Sequence, residues 1–162
     1  MSLPDPLMFD ALENARCPAE DLGGILPLTT DLLANFADVV AQAQSRMIDV
    51  FKMEVTDQES TIEKAEDVIQ RMWQESWVPT EGQIAMFTRD FGSLVTWIIY
   101  RNLHPQLIFR SEMELIHLSC WWPEGRLEAF PFHKVYKRLS RPEGESLVFF
   151  YSALKRKSSK GG

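Results

Sequence analysis

Along residues 30–53 the apolar side chains fall at Leu32, Phe36, Val39, Val40, Ala43, Met47, Val50 and Phe51. Spacings of three and four place them on one stripe of an α-helix, with polar residues opposite. Thr29 or Thr30 can cap its start, and Asp31 suits the positive end of the helix macrodipole. A second helix is predicted over 58–75, where Ile62, Ala65, Ile69, Met72 and Trp73 keep the register behind two capping-box patterns, TDQE and STIE. Pro79 ends it, because proline disfavours helical geometry at the preceding Val78. Thr80 with Gln83 opens a third helix over 81–102, striped by Ile84, Phe87, Phe91, Leu94, Val95 and Ile98. Gly92 beside that stripe costs about 1 kcal/mol of helix propensity relative to alanine. The expected reason for it is close approach by another backbone.

After Pro105 the period drops to two. QLIFR, ELIHLSC and RLEAF are short alternating runs separated by turn-forming SEM and WPEG, the pattern of an antiparallel meander. In ELIHLSC, alternation sets Leu115, His117 and Ser119 on one face and Ile116, Leu118 and Cys120 on the other, which should meet the helices. PFHKVYKRL then returns to helical spacing over 131–139, with Pro131 at its start and Phe132, Val135, Tyr136 and Leu139 on one side. SLVFFYSAL, rich in β-formers, predicts a last strand buried on both faces.

The order of elements gives an α+β fold: N-terminal helices packed on a small, mainly antiparallel sheet, with one short helix inserted before the last strand. Residues 1–154 form a single domain in this reading. Residues 1–28, punctuated by proline and glycine, form an irregular arm anchored by Leu7, Met8, Phe9, Leu12, Ile25 and Leu26. The basic, serine- and glycine-rich 155–162 is expected to be a disordered tail.

Composition adds a partner question to this picture. Residues 1–100 carry 17 acidic and 6 basic side chains, whereas 101–162 carry 6 acidic and 11 basic, within a net charge of -6. Such halves either pack on each other or present an electrostatic surface to a partner. No apolar run reaches the roughly 20 residues of a membrane helix. The acidic N-terminus lacks the basic and apolar regions of a secretory signal. Cys17 and Cys120 lack zinc-type spacing, so free thiols in a reducing cytoplasm are expected.

Candidate chemistry is sparse. His104, His117 and His133 show no HxH or HExxH spacing, so no metal site is expected, and no glycine-rich phosphate loop argues for a nucleotide or other cofactor. Cys120 and His117 point to opposite faces of one strand and cannot pair. His117 and Ser119 share a face, which leaves a small hydrolase or transferase using them as the enzymatic alternative, although no nucleophile elbow accompanies them. Glu112, Glu114, Glu124 and Glu128 sit in or beside turns and read as solvated rims.

FHKVYKRL places Lys134, Lys137 and Arg138 opposite Phe132, Val135 and Leu139, as a solvated face or as a basic face for phosphate or an acidic protein. With Arg141 and the tail it also frames a nucleic-acid reading, against which the chain's pI of about 5.1 weighs. The adjacent Trp121 and Trp122 are typical interface residues, or else one is core and the other covers an edge. FTRDFGSLVTWII, the Trp-bearing strand, AFPFHKVYKRL and GESLVFFY together resemble, over about 87–152, small bacterial domains of unknown function. Small acidic α+β bacterial proteins of this kind include immunity proteins, which cover the active site of a toxin. The expectation is a non-enzymatic protein-binding module of immunity or adaptor type. Its contact surface would comprise Trp121, Trp122, Arg126, Lys134 and Lys137. A sheet edge, strand 114–120 or a neighbour, could add unpaired backbone groups.

Overall fold

The computed structural model describes residues 25–27, 30–110 and 118–161. The anchors proposed for the arm at Leu7, Met8, Phe9 and Leu12, together with Cys17 and His117, lie outside the described residues. The chain runs β1 (Ile25–Pro27), α1 (Thr30–Phe51), α2 (Ser60–Gln74), α3 (Glu81–Leu103), β2 (Gln106–Arg110), β3 (Leu118–Trp122), β4 (Leu127–Ala129), α4 (Pro131–Ser140) and α5 (Leu147–Gly161). It is an α+β fold with N-terminal helices on a small antiparallel sheet, as the two periods predict.

Helix α3 forms the middle of the molecule. Its residues from Phe91 to Ile99 are buried except for the half-buried Trp97, and α1 and α4 pack along it. The capping box predicted at its start is formed: the Thr80 side chain accepts from the Gln83 N–H, and the Gln83 side chain accepts from the Thr80 N–H. Two arginines meet the buried Asp90 in its third turn. Arg46 reaches across from α1 with contacts of 2.9 and 2.6 Å, and Arg89 lies alongside at 3.2 Å.

The opening of α2 is different from expectation. Glu59 caps it without a side-chain hydrogen bond, so neither capping box forms. Thr61 instead turns back and accepts the Thr56 N–H at 2.9 Å, which ties the incoming loop to the first turn. Gly92 also serves another purpose than predicted. A Cβ there would collide with the ring of Phe132 on α4, whose Cε1 would lie 2.8 Å away. The close neighbour is an aromatic side chain rather than a backbone.

The sheet has strand order β1-β2-β3-β4, antiparallel throughout. Part of the expected arm therefore adds a strand, with Leu26 opposite Phe109. Register places Leu107 opposite Cys120, and Ile108 opposite Ser119. Leu118, Cys120 and Trp122 face the helices and join the main core, as the alternation predicts for the first two. The second face is covered as well at this point, since Ile108 and Ser119 are buried.

The predicted last strand is a helix. Within SLVFFYSAL, the residues Leu147, Phe150, Tyr151 and Leu154 are buried at spacings of three, one and three, while Phe149 and Ser152 face out. That is helical periodicity, and the β-forming residue types concealed it. Local capping completes the choice. The Ser146 hydroxyl accepts the Phe149 N–H at 3.0 Å, and its carbonyl accepts the Phe150 N–H at 3.1 Å. The short helix α4 accordingly follows the last strand rather than preceding one. Nor is the basic tail disordered: α5 continues through Lys155, Arg156 and Lys157 to Gly161. Among the described residues no helix is long and apolar enough to cross a membrane.

Candidate functional site

Helices α2, α4 and α5 meet at a buried ion pair that determines where α5 lies. Arg138 and Glu66 are 4% and 3% exposed. The guanidinium donates through Nε and Nη2 to the carboxylate, at 3.1 and 2.8 Å to Oε2, and through Nη1 to the carbonyls of Arg141 and Pro142 at 3.3 Å. Glu66 Oε1 accepts the Leu147 N–H at 2.8 Å, so the same carboxylate holds the first amide of α5. This is favourable for an anion at a helix start, where amide donors lack intrahelical partners. The side chain predicted to extend the basic face with Lys134 and Lys137 is thus an interior tie. Helical spacing permits this: Arg138 follows the buried Val135 by three residues and adjoins the buried Leu139.

Beside this junction runs a predominantly apolar groove of about 610 Å³ between β4, the start of α4, and α5. Its floor is Phe130, Phe150 and Leu154, and one wall is the run Leu127, Glu128, Ala129. The other wall is Glu145, just ahead of α5, and a stripe of α5 formed by Phe149, Ala153 and Lys157 at intervals of four. Phe149, 62% exposed, is the largest apolar side chain held open to solvent here. Polar groups stand at the rim. Lys134 is bound to Glu145 at 3.1 Å and lies 5.6 Å from the centroid of the Phe150 ring, within cation–π range. His133 is half-buried on the same rim, and Glu128 accepts the Ser119 hydroxyl at 2.7 Å. Lys157 has no carboxylate within ion-pairing distance among the described residues, whereas the neighbouring Lys155 binds Glu59 at 3.0 Å.

The five residues expected to form a contact surface are dispersed. Trp122, 7% exposed, belongs to the core, and its indole N–H donates to the Leu103 carbonyl at 2.8 Å, satisfying an end of α3. It is not a surface anchor. Trp121 is half-buried on the opposite face of β3, and Arg126 is exposed in the turn after Pro123 with φ of 50°. Lys134 alone of the five reaches the groove. Lys137 lies around the corner, in a smaller depression of about 370 Å³ with Arg141 and Glu143. Sequence reasoning missed the α5 contribution altogether, because a strand at 146–154 would not have placed Phe149, Ala153 and Lys157 on one line.

The enzymatic alternative loses its accessible hydroxyl. Ser119 is fully buried, and its proton is engaged by Glu128. Cys120 is buried too, and burial pushes its thiol well above the ordinary range, so it is no thiolate nucleophile. Among the described residues no three His, Cys, Asp or Glu side chains converge as a metal site would require. Comparison with protein-family models, with curated proteins and with solved structures finds no match for this chain.

Proposed function

We propose that the chain is a protein-binding module of adaptor or immunity type, and that its partner is seated in the groove between β4, α4 and α5. The observation that supports this reading is Phe149. It stands open beside an apolar floor. Interfaces take their affinity from a few aromatic and aliphatic anchors surrounded by groups that exclude water. Phe149, with Phe150 and Leu154 beneath it, has that composition, and the paired Lys134 and Glu145 supply the rim.

Affinity capture from the native host, quantified for wild type and two variants, tests the assignment. Phe149→Asp removes the apolar anchor at an exposed position. Ala153→Trp fills the groove from the α5 wall. Both should retain the wild-type circular dichroism spectrum and unfold near the wild-type temperature, and both should lower recovery of the specific partner about tenfold or more, as loss of a central contact does. Equal recovery by folded Phe149→Asp and wild type would remove the groove from the function.

A further inference from the structure

We propose that the partner enters the groove as an extended peptide, adding a strand to the free edge of β4 and placing a carboxylate against Lys157. This rests on the reading of the groove as a protein-binding site and gives it a ligand class. The first ground is geometric. Leu127, Glu128 and Ala129 are consecutive, yet all three line the groove. Side chains of a strand alternate between faces, so successive residues border one groove only where the strand turns its edge toward it. β4 is also terminal in the sheet, paired with β3 on one side and with no second strand among the described residues. In an antiparallel ladder, alternate residues direct both N–H and C=O away from the neighbouring strand. The edge facing the groove therefore carries backbone donors and acceptors suited to another strand.

The opposite wall has matching dimensions. Phe149, Ala153 and Lys157 follow one line along α5, about 12 Å at 1.5 Å per residue, and Glu145 stands just ahead of the helix start at Leu147. An extended chain covers this with about four residues. Ala153, the smallest residue of the line, sits in the middle and leaves room for an inserted side chain. Charge distinguishes the two ends. At one end Lys134 is already bound to Glu145, while at the other Lys157 has no carboxylate partner among the described residues and adjoins Arg156. An acidic side chain or a terminal carboxylate at the Lys157 end compensates this charge.

The probe is a peptide selected from a random-peptide phage library on the immobilised full chain, then synthesised with single N-methyl groups at each backbone amide in turn. Selected sequences should alternate apolar residues and carry an acid at one end. N-methylation should weaken binding about tenfold at every second amide and little at those between, because only alternate amides of an added strand face β4. Lys157→Glu should cost about tenfold or more, whereas Lys137→Glu, outside the groove, should leave affinity unchanged. A flat profile, a period of three to four, or failure to select any binder overturns strand addition, as does light scattering that shows the chain pairing with itself through β4. If Phe149→Asp abolishes binding while the N-methyl profile is flat, the groove reading stands and the extended ligand fails. If binding survives Phe149→Asp, both fail.

Discussion

Replacing Glu66 by glutamine isolates the charge that holds α2, α4 and α5 together while preserving side-chain volume. In the variant, the glutamine Oε1 can still accept the Leu147 N–H, but its amide NH₂ confronts a guanidinium that has donors only. Arg138, 4% exposed, is then a buried cation whose remaining partners are uncharged oxygens: the retained Oε1, 3.2 Å from Nε, and two carbonyls at 3.3 Å. Breaking a buried pair in this way costs about 3–5 kcal/mol, because the orphaned charge keeps its desolvation penalty. For a chain of this length, about 2–4 °C of unfolding temperature per kcal/mol converts that to a fall of roughly 6–20 °C. The exposed Lys155–Glu59 pair supplies a control, since Lys155→Gln should cost no more than about 1 kcal/mol. Thermal and urea unfolding by circular dichroism measures both. The double variant Glu66→Leu with Arg138→Met should lose less than the two single losses combined, since both buried charges disappear together. A Glu66→Gln cost no larger than the Lys155→Gln control would refute the argument that this pair anchors α5.

Two further outcomes follow from packing. Gly92→Ala should destabilise by about 1–3 kcal/mol despite alanine's better helix propensity, since the new Cβ meets the fully buried Phe132 ring; Gly92→Ala combined with Phe132→Leu should recover part of the loss in the same urea titration. Cys120 should resist alkylation in the folded chain at neutral pH and react fully in denaturant, because burial both shields the thiol and raises its pKa; peptide mass mapping that found Cys120 labelled under native conditions would contradict this.

The helical half of the fold was legible because each helix there has one uninterrupted stripe and a punctuated end. Pro79 and the Thr80–Gln83 box set the start of α3 at the predicted residue. The sheet was legible where alternation was clean, at Leu118 and Cys120. Residues 146–154 were not legible by residue type, since Val148, Phe149, Phe150 and Tyr151 all favour strands. The helix start there is capped twice, locally by the Ser146 hydroxyl on the Phe149 N–H and from 81 residues earlier by the Glu66 carboxylate on the Leu147 N–H. Propensity is a local quantity, whereas the second cap is supplied by tertiary structure.

The same distance explains why the candidate site was hidden. Read locally, Arg138 belongs with Lys134 and Lys137 as a basic face; its partner lies 72 residues away on α2. Once that pair forms, Lys134 is left to Glu145 at the groove rim, and Lys137 is left outside it. The pair also decides which side of α5 is used. By fixing Leu147 against α2, it turns Leu147 and Tyr151 into the core and, four residues on, sets Lys155 beside Glu59. At 100° per residue, Phe149, Ala153 and Lys157 then lie on the far side of the helix, where they line the groove that β4 also borders. An exposed phenylalanine in a chain rich in buried ones is therefore a consequence of how α5 is anchored. The groove owes its position to an ion pair that takes no part in lining it.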